Sequence, residues 1–256
     1  MKIGCCIDLD QVRQTLESGY DFVDLNGQEL ASQPMQKIKE AARIIQDEAS
    51  RCIGYHATVP AEVRLAGNGF RPDRVREYFH RLADRSCELN PAYIGIGSPA
   101  SRKLTEGFDR NRANDQMCEA LKIAEEYFPN RVILLEALNA GETNYINSFV
   151  EACSLVKMIA SPRIRIVLDL YHFSVSGEII DRYGSGEWEL VEYLHIADPN
   201  KRAFPSSGTS KEFVAQAKRI LQCVDCKAIA IEAQTNDFYR DAKAGLEILK
   251  RKIMEA

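Results

Sequence analysis

The stretch Ile164–His172, which reads IRIVLDLYH, decides how the rest of the chain is interpreted. Its apolar and β-branched first part predicts a strand covered on both faces, as in a parallel sheet flanked by helices. The strand ends on Asp169, and His172 follows three residues later. Because an ionisable group at the end of a buried strand is costly without a partner, we expect Asp169 to meet a metal ion, a cation or a substrate hydroxyl.

Three further apolar runs end on an ionisable residue in the same way. These runs are Val132–Glu136, Val191–His195 and Ala228–Glu232. The four strand ends would therefore carry Glu136, Asp169, His195 and Glu232. Three carboxylates and one imidazole are ligands typical of sites for hard or borderline divalent cations. A zinc site built from thiolates would need cysteines instead. The sequence predicts one metal centre made from four strand ends.

Strand and helix patterns alternate along the chain. Before the four runs above, the predicted strands are Lys2–Ile7, Asp21–Leu25, Arg51–His56 and Ala92–Gly97. The predicted helices lie at Asp10–Gly19, at Met35–Ala49, from Pro72 onward, at Ala113–Tyr127, around Phe149–Val156 and at Arg240–Met254. Strand ends from Asp24 to Glu232 are 26 to 41 residues apart, which suits one strand–helix unit each. The pattern predicts an α/β fold, a single (β/α)8 TIM barrel over residues 1–256.

A doubly wound open sheet is the alternative architecture. It would place a glycine-rich phosphate turn after the first strand, and Ile7–Asp10 contains no glycine. In a barrel, the carboxyl ends of all strands meet at one mouth. The four ligand candidates would then converge.

Charge and composition exclude several classes of partner. The net charge is −4, which gives no electrostatic reason to expect nucleic acid or an anionic membrane. No run approaches the roughly 18 apolar residues of a membrane span. The eight cysteines are scattered and include one CxxC pair, Cys223 and Cys226. We therefore expect a reduced, cytoplasmic protein without a disulfide framework.

These motifs resemble those of the xylose-isomerase-like barrels, particularly the sugar isomerase and epimerase group that includes ketose 3-epimerases. The resemblance rests on Leu135–Asn139 with Glu142, Leu168–His172, Leu194–Asn200 and Ile231–Glu232. It covers essentially the whole chain in strand order, and its motifs are dense from Glu136 onward.

The resemblance implies one divalent cation held by Glu136, Asp169, His195 and Glu232. Manganese, cobalt or magnesium is the common choice, and zinc is a further option. Chelation of a carbonyl and its neighbouring hydroxyl would stabilise the enediolate of a sugar or sugar-acid substrate. Glu136 and Glu232 would act as a general acid and base on opposite faces of that substrate. Return of the proton to the same carbon gives epimerisation, and return to the neighbouring carbon gives isomerisation.

Further residues are expected to bind substrate. The resemblance implies that His172 and Glu142 contact substrate oxygens. In that family, a basic residue six positions after the metal-binding histidine usually binds the substrate hydroxyls farthest from the metal. Here that position is Lys201, with Arg202 beside it. Close relatives typically carry arginine, and lysine cannot make the planar two-donor contact, so the identity of the substrate stays open. His56 is predicted either to line the pocket or to pack in the core.

Three other functions remain as alternatives. A metal-dependent dehydratase of a polyol ketone such as inosose begins with the same proton abstraction. An apurinic endonuclease, which hydrolyses phosphodiesters with three zincs, needs more than the four histidines present and an Asp-x-His pair that Arg202–Gly208 lacks. A barrel that binds a partner without catalysis would not need ligands on four strands. For assembly, a homodimer and a homotetramer are both left open.

Overall fold

Eight parallel strands close into a barrel in chain order, and β8 pairs with β1. The computed structural model describes residues 1–47 and 51–254. The strands are β1 (Lys2–Ile7), β2 (Phe22–Asn26), β3 (Cys52–His56), β4 (Tyr93–Ile96), β5 (Val132–Glu136), β6 (Ile164–Asp169), β7 (Val191–Ile196) and β8 (Ala228–Ile231). The predicted α/β class and (β/α)8 barrel are confirmed, and the open sheet is excluded by the closure of β1 on β8.

Helices connect the strands on the outside of the barrel. They are α1 (Val12–Glu17), α2 (Gly27–Ser32), α3 (Met35–Asp47), α4 (Pro72–Arg85), α5 (Pro99–Arg102), α6 (Arg110–Tyr127), α7 (Phe149–Ile159), α8 (Leu170–Val175), α9 (Ser185–Trp188), α10 (Lys211–Cys223) and α11 (Phe238–Ile248). Side-chain caps fix where the long ones begin: Asp109 accepts from Arg112 N at α6, and Ser148 from Glu151 N at α7. Within the described residues, no helix is long and apolar enough to cross a membrane.

Several predicted boundaries differ from the structure. The first predicted helix is divided into a 3₁₀ turn at Leu9–Gln11 and a short α1, and Gly19 with φ of +91° follows it. The last predicted helix changes to π geometry at Leu249–Met254. The predicted end of the second helix at Ala49 lies outside the described residues. The short helices α5, α8 and α9 have too few residues to produce a helical period, so the pattern did not predict them.

The interior of the barrel is built from alternate residues of the strands. One apolar cluster joins residues from six strands: Cys6, Phe22, Leu134, Val167, Tyr193, Ala228 and Ala230. Side chains two residues apart share a face of a strand. Each of five interior residues is therefore followed on the same face by an ionisable one, namely Asp24, Glu136, Asp169, His195 and Glu232. The pleat of the sheet thus stacks a polar layer on an apolar one at the carboxyl end of the barrel.

Candidate active site

The four strand-end residues predicted as ligands lie in one cluster at the carboxyl mouth. Glu136, Asp169 and His195 are buried, and Glu232 is half-buried. Ligand atoms of Glu136, His195 and Glu232 all lie within 4.8 Å of one another. Asp169 and Glu136 belong to a second set of this kind, together with His172, so Asp169 is linked to the first set through Glu136. That these four hold a metal stays a prediction.

His195 lies between two carboxylates. Its Nδ1 is 3.1 Å from Glu232 Oε2, and its Nε2 is 3.6 Å from Asp24 Oδ2. Tyr193 donates its hydroxyl to the same oxygen of Asp24 at 2.7 Å. If the ring keeps its Nε2–H toward Asp24 and gives up the proton that Nδ1 shares with Glu232, Nδ1 would offer a lone pair to the mouth. Sequence reasoning placed Asp24 at a strand end and gave it no role, although it shares the inward register of the other four.

His172 is arranged as a hydrogen-bond donor. Its Nδ1 accepts from the backbone N–H of Asn139 at 3.2 Å and lies 2.9 Å from the Asn139 amide nitrogen, so this network assigns the ring proton to Nε2. That Nε2 points at the carboxylates and lies 3.7 Å from Asp169 Oδ2. Burial, together with the charge of Arg202, lowers the pKa of His172 to about 3. A neutral ring with its proton on Nε2 can donate to a substrate oxygen but has no lone pair there for a metal.

Three buried polar atoms of this cluster have no hydrogen-bond partner among the described residues. They are Glu136 Oε1, Asp169 Oδ2 and His172 Nε2. Buried polar atoms in folded proteins are almost always paired, and an added group bound between these three would supply the partners that they lack. Two are carboxylate oxygens, and the imidazole Nδ1 of His195 lies nearby. The donor set fits a hard or borderline divalent cation such as manganese, cobalt or magnesium.

The pKa values of the two glutamates are shifted in opposite directions. Burial, helped by the charges of Glu232 and Asp169, raises the pKa of Glu136 well above its usual value. Burial also opposes ionisation of Glu232, but Arg202 and His195 lower its pKa well below the usual value. Asp169 lies between these cases, because burial raises its pKa to about 6 against the influence of Arg202. In the metal-free fold, Glu136 thus favours the protonated form while Glu232 stays ionised.

Of the two predicted basic residues, Arg202 lies inside the cluster and Lys201 is exposed. The Arg202 guanidinium lies 3.0 Å from Glu232 Oε2, and its other nitrogen lies 3.1 Å from Glu142 Oε1. Its carbon is 5.2 Å from the centre of the Tyr171 ring. Glu142 is thereby tied to the same cluster, with its Oε1 4.0 Å from His172 Nε2.

Two further residues stand close to the predicted ligands. Arg102 is fully buried and donates to the carbonyl oxygen of Glu136 at 2.8 Å. Burial lowers the pKa of Arg102 to about 10, although Glu136 acts against that shift. His56, at the end of β3, is half-buried with a buried Nδ1 that lacks a partner among the described residues. Burial lowers the pKa of His56 despite the nearby charges of Glu232 and Asp24. Sequence reasoning missed Arg102, because nothing local indicates that an arginine in a short helix is buried.

The chain belongs to the xylose isomerase-like TIM barrel family, whose model matches residues 12–244. The resemblance inferred from the strand-end motifs is thereby confirmed. Among curated proteins, a sequence comparison finds no match to this chain.

Solved structures of similar fold include both sugar epimerases and a protein named as a nuclease. D-psicose 3-epimerase from Clostridium cellulolyticum H10 is 17% identical with a TM-score of 0.76, over 100% of both chains. The 3-keto-D-glucoside 4-epimerase from E. coli is 18% identical with a TM-score of 0.75, over 98% of this chain and 99% of the other. A family 2 AP endonuclease from Brucella melitensis is 18% identical with a TM-score of 0.76, over 97% and 98%. At these identities the likeness shows the fold.

Proposed function

We propose that this chain is a divalent-metal-dependent sugar isomerase or epimerase that moves a proton next to a carbonyl through an enediolate. The observation that carries the proposal is the pair Glu136 and Glu232. Their carboxylates lie at one mouth with ligand atoms within 4.8 Å, and their pKa values are driven apart. Groups whose environments separate their pKa values in this way are suited to acid and base roles.

Each residue of the cluster would have a separate role in such a reaction. Glu232, which stays ionised, accepts the proton from the carbon beside the carbonyl, and the bond electrons move into the enediolate. Glu136 returns a proton from the other side, and positioned transfers of this kind contribute roughly 10²–10⁴-fold in rate. His172 donates from Nε2 to a substrate oxygen, and Arg202 with Glu142 binds hydroxyls farther along the sugar. A bound divalent cation would supply a Lewis acid that polarises the carbonyl.

The similar structures support the substrate class. The names of two of them describe epimerases acting on D-psicose and on 3-keto-D-glucoside, and both cover nearly all of this chain. Of the two predicted basic residues, Arg202 lies inside the cluster, and its guanidinium has five N–H donors, so some remain for substrate hydroxyls beside its contacts with Glu232 and Glu142. We propose a ketose or keto-sugar substrate bound across Glu136, His172 and Arg202.

Two alternative activities have less support. A phosphodiesterase of the AP endonuclease kind has a similar fold, but three zincs need more nitrogen ligands than the chain's four histidines supply, and the net charge of −4 opposes DNA binding. A dehydratase of a polyol ketone shares the proton abstraction and differs only in the loss of a hydroxyl afterwards. The product of the reaction separates it from an epimerase.

Deuterium exchange tests the proposal directly. Metal-free protein is loaded with Mn²⁺, Co²⁺ or Mg²⁺ and mixed with a panel of ketoses, keto-uronates and inosose in heavy water. We expect NMR to detect deuterium at the carbon beside the carbonyl of at least one ketose, with an epimer or isomer as product. Absence of exchange from every panel member with every metal would overturn the proposal, and loss of water from the product would assign the dehydratase.

The variant Glu232→Gln tests the acid and base assignment. We expect exchange to fall at least 10²-fold, because the amide cannot accept the proton. Glu192→Gln is the matched control: Glu192 is also a barrel-strand glutamate, but its carboxylate accepts from Tyr93 OH at the start of β7, away from the mouth. Exchange that survives in Glu232→Gln contradicts the role given to Glu232.

A further inference from the structure

A second set of metal-ligand atoms lies deeper in the barrel than the cluster at the mouth. It consists of Cys6 on β1, Asp24 on β2 and His195 on β7, all three buried. Cys6 Sγ is 3.7 Å from His195 Nε2 and 4.0 Å from Asp24 Oδ2, and those two atoms are 3.6 Å apart. The set contains a thiol, a donor that the mouth lacks.

The three separations match one face of a metal tetrahedron. Bonds of about 2.3 Å to sulfur and about 2.0 Å to nitrogen and oxygen, at tetrahedral angles, place the three ligand atoms roughly 3.3–3.6 Å apart. The structure has them at 3.7, 4.0 and 3.6 Å. Movements of about 0.5 Å or less would bring all three into bonding geometry.

The buried Asp24 carboxylate of this set also has an acceptor oxygen that no hydrogen bond uses within the described part of the chain. Asp24 is only 1% exposed, and its Oδ1 has no hydrogen-bond partner among the described residues. The other oxygen, Oδ2, receives the hydroxyl of Tyr193 at 2.7 Å, which fixes the carboxylate toward Cys6 and His195. Outer hydrogen bonds of this kind orient carboxylate ligands around metals.

We propose that Cys6, Asp24 and His195 form a thiophilic metal site suited to Zn²⁺ or Cd²⁺, stacked beneath the centre at the mouth. Burial raises the pKa of the Cys6 thiol in the metal-free fold, so the ion itself has to displace the thiol proton, which leaves to solvent. The resulting thiolate and the Asp24 carboxylate would together balance the two positive charges of the ion. Soft sulfur ligands favour zinc and cadmium over the manganese or magnesium expected at the mouth.

The two centres share a single imidazole. A neutral histidine has one lone pair, and His195 can present it from Nδ1 to the mouth or from Nε2 to the deeper site. In the second case Nδ1 carries the proton and donates it to Glu232, 3.1 Å away. A thiophilic ion in the deeper site therefore withdraws His195 from the mouth, so Zn²⁺ and Cd²⁺ inhibit. This inhibitory consequence rests on the proposed function, whereas the deeper site itself does not.

Cadmium NMR on the metal-free chain with nitrogen-labelled histidine tests the site. We expect a cadmium resonance displaced in the direction that a thiolate ligand produces and coupled to Nε2 of His195. Cys6→Ser should lose that resonance and weaken cadmium binding at least tenfold. Cys226→Ser is the matched control and should keep the resonance. Cys226 is also a buried thiol, but its Sγ contacts the carbonyl of Val191 and is not part of the proposed site.

Two outcomes would overturn the deeper site. One is a wild-type cadmium resonance that lacks the displacement caused by a thiolate and is coupled only to Nδ1 of His195. That result would place cadmium at the mouth, and it is measured on the wild-type chain, so it does not depend on the folding of a variant. The other is an unchanged spectrum in Cys6→Ser. Neither outcome touches deuterium exchange by the manganese-loaded protein, so the failure of this site and of the proposed reaction are distinguishable.

Discussion

Single residues hold the carboxylates of the mouth in place, and Gly97 is the clearest case. It follows β4, and a Cβ built on it would lie 2.2 Å from Glu136 Oε2. A carbon cannot approach a non-bonded oxygen so closely, so the absence of a side chain at position 97 is what lets Glu136 take its position. The sequence pattern identifies Gly97 only as the end of a strand.

Gly97→Ala should therefore displace the Glu136 carboxylate. Overpacking of this kind costs about 1–3 kcal/mol. If Glu136 is a ligand, metal binding must force its carboxylate back against the added Cβ, so Mn²⁺ binding should weaken by up to that free energy, roughly 5- to 150-fold. Isothermal titration with Mn²⁺ measures the effect. Gly186→Ala is the matched control, because an added Cβ there meets nothing within 4 Å. Equal Mn²⁺ affinity of Gly97→Ala and wild type would argue against Glu136 as a ligand.

At the scale of elements, the loop after β7 decides which basic residue reaches the mouth. Lys201 and Arg202 both have positive φ, 62° and 52°. An antiparallel bridge between Asp198 and Ala203 closes the turn, and Gln234 N donates to the carbonyl of Arg202 at 2.7 Å. The turn thus directs Arg202 inward and leaves Lys201 in solvent, although the spacing from His195 favoured Lys201.

Methionine substitutions at these two positions should have unequal effects. Arg202→Met removes charged hydrogen-bond donors worth about 1.5–3 kcal/mol, so kcat/KM on the exchanged sugar should fall roughly 10- to 150-fold. It should also tighten Mn²⁺ binding, because a guanidinium 3.0 Å from Glu232 competes with a cation. Lys201→Met should change both quantities by less than about twofold, as exposed charges contribute little. Steady-state kinetics and Mn²⁺ titration measure both; equal losses in the two variants would contradict the assignment to Arg202.

At the scale of the whole molecule, closure of the barrel concentrates acidic groups in a buried place, and this links metal binding to pH. Burial raises the pKa of Asp169 from 3.8 to about 6 in the metal-free fold. A raised pKa means that this group stabilises the fold most below pH 3.8 and loses that contribution as pH rises through 6. Above pH 6 the ionised carboxylate is available to a cation, and below it a proton must leave first.

Mn²⁺ affinity should therefore fall more steeply below pH 6 than above it. One additional displaced proton adds up to about a tenfold loss of affinity per pH unit. Titrations from pH 5 to 8 in buffers of different ionisation enthalpy give both the affinity and the protons released. A slope that stays constant through pH 6 would contradict the prediction that metal binding displaces a proton from Asp169 in this range. Saturating Mn²⁺ should also raise the melting temperature, most strongly above pH 6.

The sequence by itself determined the barrel and the position of four ionisable residues at its strand ends. Strand and helix patterns are local properties, and the carboxyl ends of all strands meet at one mouth of a barrel, so Glu136, Asp169, His195 and Glu232 could be placed there. Boundaries and short helices such as α8 were less predictable, because a few residues cannot display a period.

Only the tertiary structure decided which other side chains meet these four. Cys6 and His195 are 189 residues apart in the chain and in contact in the fold. The burial of Arg102, the approach of Asp24 to His195 and the inward turn of Arg202 likewise depend on strand pairing and loop direction. A local pattern carries no information on either, because both are set by packing between distant segments.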